Sequence, residues 1–218
     1  MTQRDAFIGQ LEELSYSLLD LYTDSKQAFT DSLIALKNQE VEKATKIIEN
    51  DSQINEQELK INEEAILLIA KQQPVATDLR LIIAIINISH ELERMGDLAV
   101  NIARAVKRLK KHVVPAPFIE EVLKMADLAL IMLDDSMEAF EKRDSQLAKH
   151  ASQNDDEIDA LYKEYLMSVT SAVQVEHLEI YTEYAFIARH IERFGDHATN
   201  IAEQVVYIVR GKYFDLNE

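Results

Sequence analysis

Two stretches decide the fold: "ERMGDLAVNIA", Glu93 to Ala103, and "ERFGDHATNIA", Glu192 to Ala202. They lie 99 residues apart and agree at eight of eleven positions, including Glu, Arg, Gly, Asp and Asn. Gly, Asp and Asn are poor helix formers, so the agreement is not one that helices share by default. A second, weaker match precedes each copy: "NDSQIN" (Asn50 to Asn55) against "NDDEID" (Asn154 to Asp159). The order of an "ND..I" helix followed by an "ER.GD...NIA" helix therefore occurs twice, which indicates an internal duplication.

The rest of the chain is helical in composition and spacing. Its 218 residues include 4 glycines and 3 prolines, well below average usage. Leu11, Leu14, Leu18 and Leu21 recur at helical intervals, as do Ile47, Ile54 and Ile61, and Leu123, Leu130 and Leu133. Breaks at Pro74, at "HVVPAPF" (His112 to Phe118), at "KRDSQ" (Lys142 to Gln146) and at "SVTSAVQ" (Ser168 to Gln174) divide it into six helices. These are expected near 4–37, 40–72, 76–111, 117–142, 145–170 and 175–211. Asp144 and Ser145 are N-cap candidates for the fifth, and Gly211 is a stop for the sixth. The expected architecture is all-α, with one three-helix repeat over 1–112 and a second over 113–218.

Composition narrows the function. No cysteine is present, which excludes a disulfide framework and a thiolate metal site. The N-terminus carries charges where a signal peptide would be apolar, and the run Leu81 to Ile86 is far too short to span a membrane. A cytoplasmic protein is expected. The net charge of −16 repels phosphate backbones and anionic lipid, so nucleic acid is not an expected partner. Cations and basic protein surfaces are.

On a helical wheel Asp97 lies about 40° and Asn101 about 80° from Glu93. Glu192, Asp196 and Asn200 repeat that face. Ile82 and Ile86 in the first copy, and Leu178 and Ala185 in the second, share the stripe, which is expected to pack on a neighbour and meet the acids at one end of the bundle. On the preceding helices Asp51 and Asn55, and Asp155 and Asp159, form a second polar stripe that a facing helix can bring close. Like charges four apart repel, and next to apolar surface they need a neutraliser. An ion pair with Arg94 or Arg193, a proton, or a metal ion would each serve. Oxygen-only ligands suit hard cations such as Mg²⁺, Ca²⁺ or Mn²⁺, and carboxylates on facing helices hold iron in some bundles.

Gly96 and Gly195 each cost about 1 kcal/mol within a helix, so close approach of another element or of a ligand is expected there. His90, His190 and His197 lie near the motifs but are expected to be packing or surface residues; His197 falls on the face away from Glu192. E-x-x-H, the half-site of ferritin-like di-iron bundles, is missing, as are H-E-x-x-H, a P-loop and G-x-S-x-G. No nucleophile with a base beside it is evident, and the chain is not expected to be an enzyme.

"QQPVATDLRLIIAIINISHELERMGDLAVNIA" and "ARHIERFGDHATNIAEQVVYIVRG" resemble the paired signatures of the PhoU family over nearly the whole chain. The resemblance implies two similar three-helix bundles and metal ions, iron, zinc, manganese or magnesium, at the E-x-x-x-D motifs. On this chain those are Glu93 with Asp97 and Glu192 with Asp196. Asn101 and Asn200 match the family pattern, and Asp51 and Asp155 are candidates from the preceding helices. It further implies a non-enzymatic accessory of the high-affinity phosphate ABC transporter that contacts the transporter ATPase and a sensor histidine kinase, and so restrains phosphate uptake and the phosphate-starvation response. Homodimers or larger homo-oligomers are implied, with the membrane reached only through partners. The second copy lacks the "PVATDLR" entry and carries "SAVQVEHLEIY" instead, so the two sites need not be equivalent. A carboxylate-bridged metal-storage or redox bundle, and a purely structural helical scaffold, are the alternative readings.

Overall fold

The computed structural model describes residues 3–109, 116–172 and 178–216. The helices are α1 (Gln3–Asn38), α2 (Val41–Gln72), α3 (Ala76–Leu109), α4 (Ala116–Lys142), α5 (Ser145–Ala151), α6 (Asp155–Ala172) and α7 (Leu178–Arg210). Among the described residues there is no strand. The six expected rods are present, but the fifth is interrupted by a 3₁₀ turn at Ser152–Asn154, which separates α5 from α6. Ser, Asn and Asp compete with helical bonding through their side chains, and Asp155, Asp156 and Glu157 fill the first turn of α6 as acids favour a helix start. Residues 112–115 and 173–177, parts of two expected breaks, lie outside the described residues.

The ends follow local chemistry. Asp144 caps α5, its carboxylate accepting from Gln146 N at 2.8 Å and Leu147 N at 3.3 Å. Gln73 turns left-handed after α2, donates to Ile69 O, and is followed by Pro74, which cannot continue the helix. Gly211 takes a φ of 71° after α7, the conformation in which glycine avoids a Cβ penalty.

Helices α1, α2 and α3 form one bundle; α4, α5, α6 and α7 form the other. The two meet chiefly through α3 and α7, whose inward residues, Leu92, Met95, Ile102, Ile191, Phe194 and Ile201 among them, are fully buried. Asn87 donates to Gln204 at 2.9 Å, Asn200 to Glu91 at 3.1 Å, and Arg108 to both oxygens of Glu183 at 2.5 and 2.7 Å. Numbers that rise along α3 fall along α7, so the helices run antiparallel. That register sets Gly96 level with Gly195. Both lie near the middle of their helices, so the acidic motifs sit half-way along the bundle and not at one end, as the stripe alone suggested.

Each glycine receives an isoleucine from the preceding helix. A Cβ at Gly96 would stand 3.1 Å from Ile54 Cδ1 and Cγ2; one at Gly195 would stand 3.2 Å from Ile158 Cδ1 and 3.5 Å from Asp155 Oδ1. The "ND..I" and "ER.GD" motifs are thus two sides of one contact, isoleucine against glycine, made twice. Gly195→Val should lower stability by about 1–3 kcal/mol through overpacking. Gly9→Ala, where nothing lies within 4 Å of the new methyl, should raise it by about 0.5–1 kcal/mol. Denaturant midpoints check both; equal midpoints for the two variants would contradict the packing role.

Candidate metal centre

The contact of isoleucine on glycine carries the acids with it. In the first repeat Asp51 lies one turn before Ile54 and close enough to Asp97 for their charges to interact. Burial, then the Asp97 charge, pushes the Asp51 carboxyl above its ordinary range, with Arg104 opposing. Glu93 is raised by the same pair of causes, burial first and Asp97 second. Asp51 Oδ1 and Glu93 Oε2 are buried without a hydrogen-bond partner. Arg94 supplies part of the neutralisation: its Nη1 lies 3.2 Å from Asp97 Oδ2 and its Nε 3.6 Å from Glu93 Oε2. Asn101 shares the face but its side-chain oxygen accepts from Arg104 Nη1 at 3.3 Å.

In the second repeat the crowding is greater. Glu192 is only 8% exposed. Burial, followed by the Asp196 charge, pushes its carboxyl up to about 7, although Arg189 opposes the shift. Asp155 is pushed up to about 6 by burial and then by Asp196 and Asp159. Asp196 is raised as well, first by burial, with Asp159 adding to it. One oxygen of Glu192 accepts from Arg189; the other, Oε2, is buried and unpartnered. The two stripes expected on facing helices come together in part: Asp51 with Asp97, and Asp155 and Asp159 with Asp196 and Glu192, while Asn55 stays exposed.

The neighbours differ from expectation. Arg94 forms the expected pair with Asp97, but Arg193 makes no ion pair among the described residues; Arg189, one turn earlier, serves Glu192 instead. Glu91 turns away from Arg94 to the other repeat, where His197 Nδ1 lies at 2.6 Å and Asn200 donates at 3.1 Å. His197 thus does lie away from Glu192, but as part of the inter-repeat lock. Asn200 is committed to that lock too. No signal in the sequence links Glu91 to His197, since helical periodicity names a face and not its partner. His190 keeps a buried, unpartnered Nδ1, and burial lowers its pKa.

Among the described residues no three His, Asp or Glu side chains are drawn into a ready-made cage for an ion. The acids approach as pairs with buried orphan oxygens. That donor set suits a hard cation that keeps several waters and takes one or two carboxylates, the habit of Mg²⁺, and does not suit a dry all-protein cage. Among the described residues no helix is long and apolar enough to cross a membrane.

The comparisons agree with this duplicated geometry. Residues 18–106 and 122–205 each match the family model of the PhoU domain. A phosphate-specific transport system accessory protein PhoU homolog of Clostridium acetobutylicum is 36% identical over 160 residues, covering 71% of this chain and 72% of that one. One from Streptococcus pneumoniae serotype 4 is 38% identical over 152 residues, covering 69% and 70%. The crystal structure of PhoU from Pseudomonas aeruginosa superposes with a TM-score of 0.89 at 33% identity, covering 94% of this chain and 100% of that one. The phosphate transport system regulatory protein PhoU from Streptococcus pneumoniae gives 0.88 at 31%, covering 96% and 99%. Two domain matches, placed one on each three-helix bundle and each spanning its glycine-centred acids, make this chain a member of the PhoU family.

Proposed function

We propose that this chain regulates phosphate uptake as a binding protein and not as a catalyst, and that its paired acids hold hydrated divalent cations. The observation that carries the reading is Glu192, a carboxylate 8% exposed with an unpartnered oxygen, facing further acids inside a PhoU fold. In this reading the ion takes one or two carboxylates from each group, Glu93, Asp97 and Asp51 in one repeat and Glu192, Asp196 and Asp155 in the other, and keeps water for the rest of its shell. Asn101 and Asn200 act beside them, holding Arg104 and Glu91. When bound, an ion supplies positive charge that joins α2 to α3 and α6 to α7. Mg²⁺ and Mn²⁺ fit the oxygen-rich, water-keeping donor set better than zinc or iron, which favour nitrogen or sulfur ligands or a fuller carboxylate cage.

The relatives are named for the phosphate-specific transport system, and the partners in this reading are its ATPase and a sensor histidine kinase, met at the cytoplasmic face. The chain works there as a homodimer or larger homo-oligomer. Its acidic surface favours basic patches on those partners. A strain lacking the chain, grown with plentiful phosphate, should take up phosphate several-fold faster than its parent. Equal uptake would overturn the regulatory reading.

A further inference from the structure

The groove between α2 and α3 and the groove between α6 and α7 occupy equivalent places in the two repeats but are lined differently. The first is mainly polar: Glu58, Asn62, Asn87 and His90 line it, with His90 Nδ1 3.9 Å from Glu58 Oε1. In the second repeat Tyr162, Leu166, Phe186 and Arg189 take those four places. The α6–α7 groove, of about 460 Å³, is accordingly apolar and walled by Tyr162, Val169, Leu178, Tyr181 and Phe186. Among the described residues Arg189 is the one charged residue that lines it, its guanidinium 5.9 Å from the centre of the Tyr162 ring. The outer face of α2 is the converse. Leu59, Ile66 and Leu67 are 57%, 60% and 53% exposed. Leu59, Ile66 and Ala70, seven and then four residues apart, stand on one face, the spacing of a helix that docks into a groove. Glu56 and Glu63 share that face and make no ion pair among the described residues, while Lys60 on the flank lies 3.8 Å from Glu64. In the second repeat Lys163, Thr170 and Ser171 replace the three large apolar side chains. At these places the ridge belongs to the first repeat alone and the apolar groove to the second alone. Single apolar residues on a surface need no explanation, but a contiguous face of them marks a contact.

We propose that the chain pairs with a second copy of itself about a two-fold axis, the α2 ridge of each copy lying in the α6–α7 groove of the other. This contact gives the homo-oligomer of the proposed function its interface, and rests on that reading. Charge selects the occupant. The groove carries Arg189, with Arg193 exposed one turn beyond it and acting also on Asp196. The ridge carries Glu56 and Glu63. A chain of net charge −16 repels its own copy over most of its surface, so association is confined to faces whose signs are opposed. In the docked pair Leu59 and Ile66 fill the groove against Tyr162 and Phe186, aromatic anchors of the kind that dominate interfaces, and Glu63 meets the arginine end. Ridge and groove are different faces of one chain, so a two-fold axis makes the contact twice and leaves neither face open. One-way stacking would leave a ridge and a groove free at the ends and grow into a filament. The contact joins folded chains, so denaturant unfolding below its dissociation constant, where the copies are apart, does not register it.

Analytical ultracentrifugation of the full-length chain tests this. The parent should sediment as a species of twice the 25.0 kDa chain mass that separates on dilution, with a dissociation constant in the micromolar range. Ile66→Glu on the ridge and Phe186→Lys in the groove should each raise that constant at least tenfold. Ile131→Glu, at an exposed position on α4, should leave it unchanged. An equimolar mixture of Ile66→Glu and Phe186→Lys should re-form the dimer, because each copy supplies the face that the other lacks and the two introduced charges are opposite. A parent that stays monomeric at about 100 μM would overturn both this contact and the homo-oligomer reading. A parent dimer unchanged by Ile66→Glu or Phe186→Lys, or a mixture that stays monomeric, would overturn the contact and leave that reading standing. Species larger than a dimer in the parent would overturn the two-fold arrangement. Circular dichroism melts establish that each variant is folded, and Leu59→Glu and Leu178→Lys replace any that is not.

Discussion

Phe194→Ala is expected to lower the unfolding free energy by about 3–5 kcal/mol, the range for emptying a buried aromatic site. Phe194 is fully buried and its ring stacks on Phe29, with centroids 3.8 Å apart and planes 21° apart. Phe29 belongs to α1 and Phe194 to α7, so the stacked pair bridges the two bundles. Met95 stands at the equivalent place in α3; the first repeat thus offers no ring in return, and the bridge has no twin. Loss of the ring should therefore do more than create a cavity. It should weaken coupling between repeats, seen as a broadened or two-step guanidinium transition. Phe186→Ala, at a site 55% exposed, should stay within about 0.5 kcal/mol of the parent. If the two variants lose equal stability, the bridge between repeats is not where the structure places it.

The second large effect is electrostatic. The Glu192 carboxyl is pushed from 4.5 up to about 7 and that of Asp155 from 3.8 up to about 6, both first by burial and then by neighbouring acids. A carboxyl raised on folding keeps its proton in the folded chain after the unfolded chain has released it. Stability is then greatest below the unfolded pKa and is lost as pH rises through the folded one. The melting temperature of the metal-stripped protein should accordingly fall between about pH 4 and pH 7. Glu91 acts with the opposite sign: against the effect of its burial, His197 and Asn200 lower its carboxyl below the ordinary 4.5, so its contribution is present above that value and lost as pH falls. The comparison that isolates Glu192 is therefore Glu192→Gln, which should fall less steeply and melt higher than the parent at pH 8. Millimolar Mg²⁺ or Mn²⁺ should raise the parent more than the variant at that pH, because the ion does what the proton did. A parent and variant with identical pH slopes would show that Glu192 carries no such burden.

Much of this was legible before any coordinates. Few breakers and helical spacing are enough for six rods, because glycine and proline end helices by local backbone chemistry. The duplicated motif located the acids, since two copies preserve residues that helices do not otherwise favour. The fifth rod misled: "SQNDD" reads as polar helix, yet its serine, asparagine and aspartates carry the signal of a new start after a 3₁₀ turn. Gly96 and Gly195 were legible as close approaches, but Ile54 and Ile158 as the approaching groups were not. Nor were the partners of Glu91, Arg108 and Phe194, which lie 75 to 165 residues away along the chain. Such contacts depend on how two finished bundles dock, and periodicity within one helix holds no record of that.

The antiparallel union of α3 and α7 has a consequence for dosage. Two identical subunits joined by the same pair of helices would fall apart on dilution, because their meeting depends on concentration. Here both halves are encoded in one polypeptide, so the partner is always present at a tethered, effectively fixed concentration. Their ratio is one to one at any expression level. Freed from having to recognise itself, each half can drift separately: a ring in one and a thioether in the other, Arg94 on Asp97 in one and Arg189 on Glu192 in the other. A symmetric dimer would have to make every such change twice.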